Sequence, residues 1–111
     1  MPRDSLGDVE HLVLVALLRL DGESYAVPIM REIRQRTGRE VARAAVYIAL
    51  KRLEVKALVR SRIGEATAER GGRPKRFFTL TRAGARQLSQ SREEFVRMWA
   101  DTERLLQKAI R

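Results

Sequence analysis

Apolar periodicity begins just after Ser5-Leu6-Gly7-Asp8, where a serine is followed three residues later by an acid. That is the capping-box pattern of a helix start, so a first helix is expected from there to about Leu20. Asp21-Gly22-Glu23-Ser24 reads as a turn, with Ser24 placed to cap a second helix from Tyr25 to about Arg36. Pro28 falls in the first turn of that helix, where a missing N–H has no intrahelical partner to lose, and Gly38 supplies the stop. A third helix, from about Arg43 to Lys56, is signalled by Val46, Ala49, Leu50 and Leu53, whose steps of three and four build one apolar face.

The period then changes. Leu58 to Ile63 is β-branched and alternating, Gly64 to Lys75 is polar and glycine-containing, and Phe77-Phe78-Thr79-Leu80 is again apolar. Two short strands joined by a long basic loop form a hairpin. Thr81 is placed to cap a last helix of about 30 residues, with interruptions expected near Gly84 or Ser89-Gln90-Ser91. Leu88, Phe95, Trp99, Thr102, Leu106 and Ala109 fall mostly at steps of three, four or seven along it, a stripe that must be buried against something.

This order of elements is mainly α with a small β-hairpin: a winged helix-turn-helix over residues 1–82, followed by a long C-terminal dimerisation helix over 83–111. In such an architecture the third helix enters the major groove of DNA, and the hairpin loop touches the backbone or the minor groove.

Charge supports that reading. The chain has 111 residues and a formal net charge of +9. Residues 1–24 carry a net −3, residues 25–64 carry +7, and residues 65–82 and 83–111 add +3 and +2. Positive charge is concentrated where the third helix and the hairpin lie, as expected of a surface facing a polyanion; an arginine-rich solvated surface is the alternative. At this length one domain is the natural expectation, and dimerisation is a common way for it to gain buried surface.

Cysteine is absent, which excludes disulfides and thiolate metal sites and fits a reducing cytoplasm; His11 by itself makes no metal centre. The longest apolar stretch, Leu12 to Leu18, is seven residues, far below the ~20 needed to cross a bilayer. The opening Met-Pro-Arg-Asp leads into a helix start and not into a signal-peptide core. With no nucleophile–base pair, paired-acid motif or nucleotide loop, neither an enzyme nor a cofactor is expected.

Two groups of residues carry the candidate chemistry. Arg43, Tyr47 and Lys51 are spaced i, i+4, i+8, on the edge of the third helix opposite its apolar face. Arginine can read guanine or bind phosphate, tyrosine can bond phosphate or pack on a thymine methyl, and lysine can neutralise a phosphate. An ordinary solvated face, with Tyr47 partly tucked into the core, is the competing reading. In the loop, Gly71 and Gly72 let the backbone approach a sugar-phosphate chain, and Arg70, Arg73, Lys75 and Arg76 flank them. Gly72-Arg73-Pro74 is similar to the core of AT-hooks; a plain polar turn is the alternative. His11 is read as structural, against a pH-sensitive interface contact.

The strings Leu6-Gly7-Asp8-Val9-Glu10, Thr37-Gly38-Arg39, Ala45 to Glu54 (AVYIALKRLE), Gly64-Glu65 and Glu69 to Thr81 (ERGGRPKRFFTLT) resemble successive blocks of the PadR family of transcriptional regulators. They stand in the family's order and spacing over roughly residues 5–84. The resemblance implies a homodimeric transcription factor, usually a repressor, with the third helix and the wing on double-stranded DNA and the first and last helices at the dimer interface. Leu12, Leu88, Phe95, Trp99 and Leu106 are the interface candidates. The short C-terminus is similar to the compact subclass. Two recognition helices would then meet a pseudo-palindromic operator with half-sites about 10 base pairs or a multiple apart.

Some compact members resemble multidrug sensors, which implies a planar hydrophobic effector held by Trp99 with Phe95 and Met98; simple packing of the dimer seam is the alternative. A non-specific architectural DNA binder or a winged helix used for protein contacts is the rival function. The chain departs from the family pattern at Ala26, Ala44 and Ala57, where glycine is common, and at Ala42, where a serine often caps the third helix. Strain is expected at Ala57 if its φ is positive.

Overall fold

The computed structural model describes residues 6–64 and 74–111. In chain order they form α1 (Asp8–Arg19), β1 (Glu23–Ser24), α2 (Ala26–Thr37), α3 (Arg43–Val55), β2 (Val59–Ile63), β3 (Arg76–Leu80), α4 (Arg82–Trp99) and α5 (Glu103–Ile110). The three short helices and the hairpin stand as expected. The start of α1, the entry to α2 and the division of the C-terminal helix differ from the expectation.

α1 starts later than the Ser5 capping box implies. Its N-cap is Gly7, whose N–H donates to Glu10 Oε1 at 2.9 Å. Glu10 satisfies an otherwise orphaned donor from inside the helix, so no serine hydroxyl is needed there. Val13, Leu14, Ala16 and Leu17 are buried on the inner face. The helix ends in a turn at Asp21 and Gly22, both with positive φ, and the Gly22 N–H returns to the Leu17 carbonyl at 2.8 Å.

Ser24 does not cap α2. With Glu23 it forms a two-residue strand, Glu23 opposite Thr79 and Ser24 opposite Phe78, so the sheet has three antiparallel strands in the order β1-β3-β2. Two residues are too few to show alternation, and their partners lie more than fifty positions away. Tyr25 is the N-cap of α2 and makes no side-chain cap, while Gly38 closes the helix at φ 75° as anticipated.

α3 buries Val46, Ala49, Leu50 and Leu53 against α1 and α2. Its C-terminus is a Schellman closure: Leu58 N–H bonds the Leu53 carbonyl and Ala57 N–H bonds the Glu54 carbonyl, both at 2.9 Å. Ala57 takes the left-handed position at φ 62°, the strained conformation expected for it. β2 and β3 then pair from Val59 opposite Leu80 to Ile63 opposite Arg76, and Phe78 is fully buried beneath the helices.

Thr81 caps α4 as anticipated, its Oγ1 accepting from the Gly84 N–H at 3.0 Å and donating to the Ala57 carbonyl at 2.9 Å. Gly84 does not interrupt the helix. It is where α4 passes closest to the corner after α3: a Cβ there would sit 2.2 Å from the Leu58 carbonyl oxygen. The helix also runs straight through Ser89-Gln90-Ser91 and breaks at Asp101, which has φ 61°, dividing the expected single C-terminal helix into α4 and α5. Leu88 is buried in the core, whereas no residue of α5 is buried.

Candidate nucleic-acid interface

Helical geometry sets Arg43, Tyr47 and Lys51 on the side of α3 away from its buried stripe. Arg43 and Lys51 are exposed; Tyr47 is half-buried and packs against the core, leaving part of the ring outward. Ile48, 53% exposed, stands beside them, with Ala44 and Arg52 also exposed. Ile48 was missed because an apolar residue near the apolar stripe reads as core; here it gives the face a hydrocarbon surface of the kind that meets thymine methyl groups.

The N-terminal end of α3 is open. Ala42 is its N-cap, in extended conformation and with no side chain to accept from the first turn. An open cleft of about 560 Å³ between α2 and this end is lined by Arg31, Arg34, Glu40 and Ala42 among others. The Arg34 guanidinium lies 3.8 Å from Glu40.

Two acid–cation links fasten the flanks of α3 to the start of α1. Arg39, four residues ahead of α3, pairs with Asp8. Lys56, directly after α3, donates to both carboxylate oxygens of Glu10 at 3.0 Å. Glu10 is 6% exposed. Its burial opposes ionisation, but the Gly7 N–H bond and the Lys56 ammonium outweigh that and hold its carboxyl below the ordinary glutamate value.

The stem of the hairpin is organised by contacts that its composition does not announce. On its outer face Arg62 grips Glu23, Nη2 to Oε1 at 3.0 Å and Nε to Oε2 at 3.2 Å, and lies 4.8 Å from the centroid of the Phe77 ring. Thr79 Oγ1 donates to the same carboxylate at 2.8 Å. The Arg62 and Thr79 bonds hold Glu23 below its usual value, and the Glu23 carboxylate raises that of Arg62. Lys75 Nζ sits 4.3 Å above the Tyr25 ring and 3.3 Å from its hydroxyl. Arg76 Nη1 donates to Ser61 Oγ at 3.0 Å, and Ser61 Oγ donates to Glu54 Oε2. Among the wing residues named from the sequence, Lys75 and Arg76 are thus engaged inside the protein. Arg70, Gly71, Gly72 and Arg73 lie outside the described residues.

A second surface lies between α1 and α4. An open, mostly apolar groove of about 570 Å³ is bounded by His11, Val15, Leu18, Leu88, Phe95 and Val96 among others. The His11 and Phe95 rings meet edge to face at 6.2 Å between centroids, a structural partner for the single histidine. Leu12 is half-buried against the core and Leu88 lies within it. Phe95, Trp99 and Leu106 are 60%, 53% and 45% exposed, and Met98 is exposed beside them. Of the stripe read from the sequence, Leu88 is buried in the core, while Phe95, Trp99 and Leu106 are uncovered in one chain, Leu106 lying beyond the break at Asp101.

Among the described residues no cluster of His, Asp and Glu could hold a metal ion, and no helix is long and apolar enough to cross a membrane. Comparison with known proteins gives this geometry its context. The transcriptional regulator PadR-like family matches residues 13–90. A PadR family transcription regulator from hypervirulent Clostridium difficile is similar in structure at a TM-score of 0.73 and 23% identity, covering 90% of this chain and 99% of its own. A transcriptional regulator from Clostridium thermocellum is similar at 0.68 and 26% identity, covering 93% and 90%. F93 from STIV, a winged-helix DNA-binding protein, shares the fold at 0.66 and 14% identity over 82% and 90%. No curated protein matches the chain. The match over residues 13–90 runs from within α1 through α2, α3 and the hairpin to the middle of α4, and the chain belongs to the PadR-like family of transcriptional regulators, winged-helix proteins that bind DNA.

Proposed function

We propose that this regulator is a homodimeric, sequence-specific repressor acting in the cytoplasm on a pseudo-palindromic operator. The observation that carries the DNA part is the outward face of α3, where Arg43, Tyr47, Ile48 and Lys51 stand opposite a fully buried stripe. A helix with a donor at each end of such a face and an aromatic and an aliphatic group between them suits the major groove, phosphates at the edges and base edges in the middle. Arg70, Gly71, Gly72, Arg73 and Lys75 of the wing would add contacts to the backbone or the minor groove.

On this reading residues 1–82 are the DNA-binding domain and 83–111 the dimerisation segment. The support for the dimer is the uncovered apolar surface of Phe95, Trp99 and Leu106, the first of which also lines the α1–α4 groove together with Leu88. An eight-residue helix such as α5 is marginal in water by itself, and a second copy gives it a packing surface. A planar hydrophobic compound stacked on Trp99, with Phe95 and Met98 beside it, would release the repressor by favouring a dimer geometry in which the recognition helices no longer match the half-sites.

Fluorescence anisotropy with duplex from the gene's own upstream region, against a shuffled duplex of equal composition at about 0.15 M salt, tests the central claim. A preference of about a thousandfold or more is expected. Equal, weak binding to both, repeated with duplexes selected from the whole genome, would refute it and favour an architectural or protein-contact role. Tyr47→Ala is expected to weaken the specific duplex more than the shuffled one. Trp99 is the sole tryptophan, so its emission reports a planar dye directly; an unchanged signal at saturating dye would remove the effector from the proposal.

A further inference from the structure

The cation that opens β3 is placed by the strand register on the inner side of the hairpin. Ser61 pairs with Phe78 and Ile63 with Arg76, so Ser61, Ile63, Phe78 and Arg76 share one face, that of the buried Phe78. Arg60, Arg62, Glu23 and Thr79 occupy the other face. Arg76 reaches diagonally across the pair to Ser61, and Ser61 reaches Glu54 in the last turn of α3. A serine hydroxyl has one proton to give. Once it is donated to the Glu54 carboxylate, the oxygen can only accept, and Arg76 is a donor without acceptor capacity, so the order of the three groups is fixed. All three residues are half-buried, where such bonds are strengthened by reduced screening.

α3 and the hairpin are also joined by the three-residue corner Lys56–Leu58 and by the core that Val59 and Phe78 share with Val46, Leu50 and Leu53; this chain of contacts adds a directional polar link to that packing. We infer that Glu54, Ser61 and Arg76 form a relay that sets the angle between recognition helix and wing, and that Arg76 is a positioning residue for DNA binding and not a phosphate contact. The inference rests on the DNA-binding reading for its consequence and on the DNA-free protein for its geometry. A wing held at one angle lets phosphate contacts and α3 engage together; a loose wing must be ordered on binding, which costs affinity.

The two roles of Arg76 differ in what salt does. Losing a phosphate contact reduces the slope of log Kd against log salt by about 0.9, whereas losing a positioning contact leaves the slope unchanged. Arg76→Met and Ser61→Ala are each expected to weaken operator binding about three- to tenfold, the scale of one or two hydrogen bonds, with the wild-type slope retained. Because they break one relay, the double variant should lose no more than the worse single.

In the protein without DNA, residual dipolar couplings of 59–63 and 76–80 measured against those of α3 should report the same reorientation in both variants, and Glu54→Gln serves as a third, milder probe. A reduced salt slope for Arg76→Met with Ser61→Ala unchanged would overturn the proposal, as would wild-type couplings in all three variants. If wild-type protein shows no preference for any duplex, the DNA-binding proposal fails, and the couplings still decide the relay.

Discussion

Ala57 is the position where a single methyl group works against the fold. It occupies the left-handed slot of the Schellman closure at φ 62°, and its side chain is exposed, so removing the Cβ forfeits no packing. An L-residue in this region costs about 1–2 kcal/mol relative to right-handed backbone. Glycine escapes that cost but returns about 0.4–1 kcal/mol through the greater freedom of its unfolded chain. Ala57→Gly should therefore stabilise the protein by about 0.5–1 kcal/mol, and the bonds from Leu58 to Leu53 and from Thr81 to Ala57, which involve backbone atoms at this corner, remain available. For a chain of this size that corresponds to a rise in Tm of about 2–4 °C. Thermal unfolding of both proteins by circular dichroism, at one matched protomer concentration so that association contributes equally, measures it. An unchanged or lower Tm would refute the reasoning, since it would mean that the corner relaxes out of the left-handed region or that the alanine is not strained there. Ala57→Val, with a branched Cβ in the same slot, should move Tm the other way.

Three further outcomes are expected. Ala42→Ser supplies the missing side-chain acceptor at the N-cap of α3 and should stabilise by about 0.5–1 kcal/mol in urea unfolding; a loss of stability would mean that the extended Ala42 backbone does not present the hydroxyl to the first turn. Glu10→Gln should flatten the acid limb of the stability–pH curve. Because folding depresses the Glu10 pKa, its contribution is full above the ordinary glutamate value of about 4.3 and fades as pH falls through the lower folded value, so a variant that keeps the wild-type acid dependence contradicts the role given to the Lys56 link. Gly84→Ala would push a methyl group into the Leu58 carbonyl and the Leu80 side chain, and a destabilisation of about 1–3 kcal/mol is expected from differential scanning calorimetry; a neutral result would show that α4 can shift away from the corner freely.

The most informative errors of sequence reading lie at element ends. Ser24 carries the right chemistry for capping, yet its pairing with Phe78 takes that role away; Ser5 lies outside the described residues, and Glu10 bonds the Gly7 N–H from within the helix. Thr81 and Gly38 were legible because their function is local: the acceptor, the donor or the positive φ lies within a few residues. Charge behaved likewise. The excess of cations between residues 25 and 82 is plain in the sequence, but whether a given cation is outward or committed depended on distant partners, Asp8 for Arg39, Glu10 for Lys56, Glu23 for Arg62 and Tyr25 for Lys75.

The sequence by itself determined the helices of the core, the hairpin, the outward face of α3 and the apolar positions after Leu88, because each is written in a period of two or 3.6 or in a cap a few residues long. The tertiary structure decided the third strand, the break at Asp101, the exposure of Phe95, Trp99 and Leu106, and the bond of Arg76 to Ser61. Those depend on backbone register and on side chains brought together from positions tens of residues apart, and no local period records such meetings.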